Sequence, residues 1–145
     1  RLVILGDGKD RPKLEQQAKD LGISDVVSMP GYVDNPYAYM AHTSVFVLSS
    51  IMEGLPTVLV EAMYCGAPVV STDCPSGPDE ILDGGRYGCL VPPADEEALA
   101  KGILHALAGR TPRPPKESWM PYTLDTALDQ YLDVLFPTVD GVPPV

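Results

Sequence analysis

The sequence has few basic residues for its length. It carries 10 Lys and Arg residues against 20 Asp and Glu residues, which gives a formal net charge of -10 at pH 7. A chain of this charge repels polyanions, so nucleic acid is not expected as a partner through general electrostatic attraction. An anionic ligand would need local positive potential, such as the free N–H groups at the start of a helix.

Cysteines and long apolar runs are also scarce. The three cysteines, Cys65, Cys74 and Cys89, are odd in number and have no C-x-x-C spacing, so neither a disulfide framework nor a zinc site is indicated. No metal is therefore expected, and a reducing cytoplasmic compartment fits best. No apolar run approaches the roughly 18 residues of a transmembrane helix. The chain begins directly with an apolar strand pattern, which we interpret as a cut inside a longer protein.

Short apolar runs alternate with helix-like segments along most of the chain. This order predicts an α/β fold, a Rossmann-like three-layer sandwich in which helices cover one parallel sheet of about five or six strands. Strands are predicted near residues 2–5, 26–29, 45–48, 67–71 and 87–91. We expect one domain over residues 1–136 and a flexible tail over residues 137–145. Trp119, Tyr122 and Tyr131 are expected to anchor a terminal helix.

Two glutamates follow the third predicted strand. Glu53 lies in the loop after that strand, and Glu61 lies eight positions later, in a helix that begins near Thr57. Ligands of open α/β sheets bind at the carboxyl ends of strands, so both carboxylates could reach one ligand. A carboxylate accepts two hydrogen bonds from a vicinal diol, which ribose and hexoses both present. The spacing alone supports only two acids near a strand end, and such acids are usually solvated.

The residues around the two glutamates extend the pattern. Residues 49–63, SSIMEGLPTVLVEAM, resemble the E-x7-E signature of the group 1 family (family 4) of retaining glycosyltransferases. Further segments are similar to the same family in the same order, namely residues 2–8, 29–33, 61–70 and 75–81. The resemblance implies the C-terminal, donor-binding half of a GT-B fold, in which a donor domain and an acceptor domain close on each other.

The resemblance also implies roles for residues of this loop and helix. Glu53 would face the transferred sugar and help to steady charge at its reacting end, which makes it the candidate catalytic residue. Glu61 would accept hydrogen bonds from the ribose hydroxyls of the nucleotide. Backbone N–H groups of Gly54, Leu55 and Thr57 would contact the sugar or the pyrophosphate.

Four further donor-binding residues are implied outside that segment. Gly31, Tyr32 and Val33 would lie against the nucleobase, chiefly through backbone contacts. Glu80 matches an acid that usually follows the next strand in the family. Its position after a Gly-Pro turn would equally let it charge the first turn of its own helix.

The implied reaction is transfer of a hexosyl group from a UDP-sugar to a lipid-linked or polysaccharide acceptor, with retention and without a metal or another cofactor. An N-acetylhexosaminyl group is a narrower reading of the Cys74-Pro75-Ser76-Gly77-Pro78 loop. Family members carry a Gly-Arg pair and a Lys that neutralise the diphosphate, and the resemblance implies that these precede the first residue of this chain, as does the acceptor domain. We therefore expect weak donor binding and no transfer by this chain alone. Peripheral membrane contact through the acceptor domain, at the inner face of the membrane, is a further expectation.

Two alternatives stay open at this stage. A non-hydrolysing UDP-sugar epimerase shares the two-domain fold and would bind the same nucleotide. A non-catalytic subunit would bind a nucleotide or a carbohydrate with the same residues but would not transfer the sugar. Glu61→Ala in the intact protein separates these alternatives: unchanged sugar transfer would remove Glu61 from the donor site.

Overall fold

The computed structural model describes residues 1–136, so the tail predicted at residues 137–145 lies outside the described residues. The chain divides into two compact units, with the boundary between Tyr39 and Met40, inside helix α2 (Pro36–His42). The single domain expected over residues 1–136 stays a prediction. No helix among residues 1–136 has both the length and the apolar character needed to span a bilayer.

The first unit holds a pair of parallel strands and a helix. Strand β1 (Leu2–Leu5) pairs with β2 (Val27–Gly31), and α1 (Arg11–Asp20) and a 3-10 helix (Ser24–Val26) lie between them in the chain. The helix α1 ends where Gly22 adopts a positive φ of 67°, a conformation that glycine reaches without a Cβ clash.

The second unit is built on a three-stranded parallel sheet. Its strands are β3 (Phe46–Leu48), β4 (Val69–Thr72) and β5 (Cys89–Val91), and β4 is the middle strand. Its helices are α3 (Thr57–Tyr64), α4 (Pro78–Ile81), α5 (Glu96–Leu107), α6 (Lys116–Trp119) and α7 (Leu124–Leu135), with a 3-10 helix at Met120–Tyr122. Every residue of β4 is buried.

Successive residues of β4 serve opposite faces of the sheet, as the pleat of a strand requires. Val69 packs in a cluster with Leu59 and Met63 of α3, whereas Val70 packs in a second cluster with Ala106 of α5. Helices thus cover both faces, which confirms the predicted α/β layer architecture. A continuous apolar run such as Val69-Val70 is what a strand buried on both sides requires.

The strand pairs lie within each unit. The described residues contain five strands, all with parallel partners, but they form one sheet of two strands and another of three. Periodicity in the sequence reports which runs are buried. It does not report which edges pair, because pairing depends on residues far apart in the chain.

The aromatic residues near the C-terminus behave differently from one another. The ring of Trp119 meets that of Tyr64 edge to face at a centroid distance of 4.9 Å, and Tyr122 also packs against the core cluster around α3. Tyr131 is 68% exposed, so its predicted role as an anchor is wrong among the described residues. It lies on the apolar stripe of α7, and that stripe faces outward together with Leu124 and Leu128.

Candidate functional site

The loop after β3 turns sharply into α3. Pro56 has φ -73° and ψ 83°, and the N–H of Thr57 donates to the carbonyl of Leu55 at 2.9 Å, which is the geometry of an inverse γ-turn. Helix α3 begins directly after it, at Thr57. Proline suits this place because its own nitrogen has no hydrogen to leave unpaired.

Glu53 is half-buried in this loop and is held by a neighbouring side chain. The hydroxyl of Ser50 donates to Glu53 Oε1 at 2.6 Å. The hydroxyl of Thr72, at the end of β4, in turn donates to the carbonyl of Ser50. The carboxylate is thus connected to the buried middle strand through two hydroxyl groups.

A second loop packs against the same turn. Gly77 is buried, has φ 90°, and lies so close to the turn that an added Cβ would meet Pro56 Cδ at 2.4 Å and the Gly54 carbonyl oxygen at 2.7 Å. Only a residue without a Cβ allows this approach. The loop that precedes α4 therefore supports the turn that carries Glu53.

Glu61 lies in the second turn of α3 and is half-buried, beside the fully buried Ala62 and Met63. No hydrogen bond or ion pair engages its carboxylate within residues 1–136. Burial, and next the negative charge of Glu61, raise the pKa of the Cys65 thiol. A carboxylate without a protein partner is available to a ligand, and the predicted contact of Glu61 with ribose stays a prediction.

The predicted backbone donors of the loop differ in their availability. The N–H groups of Gly54 and Leu55 have no acceptor in the described part of the chain. The N–H of Thr57, by contrast, already donates to Leu55 across Pro56. In this conformation two of the three predicted donors are therefore open to a ligand, and the third is engaged in the turn.

The predicted nucleobase residues lie in the first unit, at the end of β2. Gly31 is buried with φ 82°, and its carbonyl accepts the Gly6 N–H at 2.8 Å. Arg11 supports this end, because its Nη2 donates to the Met29 carbonyl at 2.7 Å. Tyr32 is 85% exposed and Val33 is half-buried. The exposed ring is available to a ligand, and the nucleobase contacts of these residues stay predictions.

Glu80 lies in the first turn of α4 and is exposed. Burial, with a smaller contribution from the charge of Glu80, raises the pKa of the Tyr122 hydroxyl, so this carboxylate lies near Tyr122. Asp79 joins Glu80 in the same first turn, where acidic residues complement the helix dipole. The position of Glu80 fits the interpretation that its charge stabilises the first turn of α4. Its donor-binding role stays a prediction.

Sequence reasoning did not assign Ser50, Thr72 or Gly77 a role in supporting the Glu53 loop. Ser50 and Thr72 are 22 positions apart and meet only because β3 and β4 are neighbours. The one signal in the sequence is that Thr72 ends an apolar strand run and Ser50 lies two positions after another. Among residues 1–136, no group of three or more His, Cys, Asp or Glu side chains is arranged to hold a metal ion.

Comparison with curated proteins finds relatives among bacterial glycosyltransferases. The chain is 36% identical over 103 residues to N-acetylgalactosamine-N,N'-diacetylbacillosaminyl-diphospho-undecaprenol 4-alpha-N-acetylgalactosaminyltransferase of Campylobacter jejuni, covering 71% of this chain and 28% of the relative. It is 38% identical over 112 residues to the lipopolysaccharide core biosynthesis glycosyltransferase LpsE of Rhizobium meliloti, covering 77% of this chain and 33% of that relative. The chain thus spans a third or less of the length of these relatives.

Solved structures with the same fold include a galactosyltransferase and a complex with UDP-glucose. The apo form of the lipopolysaccharide outer core galactosyltransferase WaaB matches with a TM-score of 0.81 and 25% identity, over 93% of this chain and 40% of that one. Anabaena Alr3699/HepE in complex with UDP-glucose matches with a TM-score of 0.77 and 26% identity, over 92% of this chain and 40% of that one. These matches confirm the predicted Rossmann-like half of a GT-B fold.

The family assignment rests on a match that covers most of the chain. Residues 1–109 match the family described as "Glycosyl transferases group 1". That range contains all five described strands, the Glu53 loop and all of α3. The chain therefore belongs to the group 1 glycosyl transferases, and it matches the C-terminal half of their GT-B fold.

Proposed function

We propose that this chain is the donor-binding part of an enzyme that transfers a hexosyl group from a UDP-sugar to a lipid-linked or polysaccharide acceptor. The observation that carries the proposal is the Glu53 loop, in which a held carboxylate and two open N–H groups lie next to the start of α3. The relatives named above act on an undecaprenol-linked sugar and in lipopolysaccharide core biosynthesis. The HepE match supports a UDP-linked donor.

In this proposal the loop and α3 contact different parts of the donor. The Glu61 carboxylate accepts from the ribose hydroxyls, since it has no competing partner among the described residues. The open N–H groups of Gly54 and Leu55 donate to the sugar or the diphosphate, where the helix start adds positive potential. Glu53 faces the transferred sugar.

Transfer with retention is the finer part of the proposal. The leaving diphosphate would be stabilised by cations and by the start of α3, without a metal, while the acceptor attacks the same face of the sugar. Glu53 contributes electrostatic support and not proton transfer, because a nucleoside diphosphate leaves without being protonated by these acids. The net charge of -10 makes weak donor binding the expected behaviour of this chain alone.

The remaining expectations about the intact protein belong to the same proposal. An acceptor domain completes the catalyst, and peripheral membrane contact through it would place the enzyme at the cytoplasmic face of a membrane, near lipid-linked acceptors. Because the named relatives are transferases, transfer is favoured over UDP-sugar epimerisation and over a non-catalytic subunit. No nucleic acid partner and no cofactor other than the nucleotide-sugar are proposed.

A titration of UDP into the 15N-labelled chain, followed by amide chemical shifts, tests the donor site. We expect saturable shifts at Gly54, Leu55 and Glu61 with a dissociation constant on the order of 1 mM. Glu61→Ala should weaken UDP binding by roughly 10- to 100-fold, since it removes hydrogen bonds to a charged group. Glu96→Ala, which removes an exposed glutamate of α5, is the matched control and should leave binding unchanged.

Three outcomes would contradict parts of this proposal. Absence of UDP-induced shifts at millimolar concentration would remove the donor site. Micromolar affinity by calorimetry would contradict the expected weakness of the isolated chain. Unchanged sugar transfer by the intact protein carrying Glu61→Ala would remove Glu61 from the donor site.

A further inference from the structure

We propose that Ser50 and Thr72 are positioning residues, which hold one oxygen of the Glu53 carboxylate and leave the other directed to the donor sugar. This inference rests on the proposed function, because it assigns Glu53 to the sugar. It adds two residues that neither the E-x7-E pattern nor the spacing of the glutamates identifies. Both act through Glu53 and not on the ligand.

Thr72 is the fixed end of the arrangement. It is the last residue of β4, is 3% exposed, and follows Ser71, which is the partner of Leu48 in the β3–β4 register. Its hydroxyl donates to the Ser50 carbonyl and also lies 3.5 Å from the Leu48 carbonyl. The side chain of Thr72 therefore extends the contact between the two strands beyond the last paired residue of β3.

Ser50 connects this fixed end to the carboxylate. Its hydroxyl donates to Glu53 Oε1 at 2.6 Å, within the range of charge-assisted O–H···O bonds. Glu53 Oε2 has no partner within residues 1–136. The side chain has thus lost much of its rotational freedom before a donor arrives, while one oxygen stays available to a sugar hydroxyl.

The first measurement needs no ligand. Three-bond couplings of the Glu53 side chain in the 145-residue chain report whether χ1 occupies one rotamer. We expect one rotamer in the wild type, averaging over several in Ser50→Ala and Thr72→Val, and one rotamer again in Thr72→Ser, which keeps the hydroxyl. Ser71→Ala is the matched control, because Ser71 is equally buried and its hydroxyl bonds only to the Thr72 carbonyl.

The second measurement separates positioning from mere structural support. Binding of UDP-glucose and of UDP is titrated for each variant by amide shifts, since only UDP-glucose presents a sugar to Glu53. Ser50→Ala and Thr72→Val should weaken UDP-glucose binding by about tenfold and leave UDP binding within about twofold. Thr72→Ser should restore UDP-glucose binding. A general loss of structure would weaken both ligands together.

The outcomes distinguish the two proposals. Unaveraged couplings in both hydroxyl-free variants would overturn the positioning role, whatever the ligand results. Equal weakening of UDP and UDP-glucose, or a wild type that binds both equally, would also overturn it, because Glu53 would then contribute nothing to the sugar. A wild type that binds neither ligand would overturn the proposed donor site, whereas the couplings would still report the contact between Ser50 and Glu53.

Discussion

Replacement of Gly77 by alanine should destabilise the second unit far more than an ordinary glycine replacement. The new Cβ would lie 2.4 Å from Pro56 Cδ, where ordinary contact begins at 3.4 Å, so the ring or the loop would have to move by about 1 Å. Overpacking of this kind costs about 1–3 kcal/mol. The backbone at Gly77, with φ 90° and ψ -58°, adds about 1–3 kcal/mol for a residue with a Cβ.

Gly109→Ala is the matched control for Gly77→Ala. Gly109 also has a positive φ, of 71°, but an added Cβ would meet nothing within 4 Å. We expect a loss of about 4 kcal/mol in the free energy of unfolding for Gly77→Ala and about 1 kcal/mol for Gly109→Ala. At this chain length the melting temperature should fall by about 10 °C and about 3 °C, respectively.

Urea unfolding followed by circular dichroism measures both losses. Amide shifts of the folded Gly77→Ala variant should also change at Gly54 and Leu55, because the displaced turn carries them. Equal losses of stability for the two variants would refute the reasoning, since the steric contact with Pro56 would then have no energetic effect.

Two other changes test the capping of α5 and the surroundings of Glu61. Asp95→Ala should lower the free energy of unfolding by about 1 kcal/mol, because the Asp95 carboxylate accepts the Ala98 N–H at 2.8 Å; an unchanged urea midpoint would rule out a stabilising cap. Glu61→Gln should lower the pKa of Cys65 and accelerate its alkylation by iodoacetamide at mildly alkaline pH, as measured on the Cys65 peptide by mass spectrometry. Folding raises the pKa of the Cys65 thiol above its usual 9.0, so the unfolded chain loses this proton at lower pH than the folded chain does. The contribution of Cys65 to the free energy of unfolding is therefore fully present below pH 9.0 and is lost as pH rises through the folded pKa. Identical alkylation rates in the two proteins would show that Glu61 does not act on Cys65.

Local signals in the sequence predicted most helix and strand positions, because the groups that start and end these elements are close in the chain. The Asn35 side chain accepts the Ala38 N–H, and the Asp95 side chain accepts the Ala98 N–H at the start of α5; both residue types commonly cap helix starts. Gly109 ends α5 with a positive φ, which a C-terminal glycine makes possible. The family resemblance then supplied the fold and the two glutamates.

The contacts that hold the Glu53 loop in place could not be predicted from local signals in the sequence. Thr72 and Ser50 meet through strand pairing, and the closeness of Gly77 to Pro56 depends on two loops that are far apart in the sequence. The prediction that Tyr131 anchors the terminal helix was wrong for a related reason. An apolar stripe shows which face of a helix can be covered, but it does not show which segment covers that face. Contacts between distant segments decide all three cases.

The close packing of α5 on the sheet limits which sequences this unit can accept. A Cβ at Gly102 would lie 3.1 Å from Val70 Cγ1, 3.2 Å from Val91 Cγ1 and 3.3 Å from Cys89 Sγ. These atoms belong to two different strands, so one enlarged residue on the helix would press on both strands at once. In a randomised library selected for folded protein, larger residues at position 102 should therefore be recovered together with smaller residues at position 70 or 91. Substitutions at these three positions thus depend on one another.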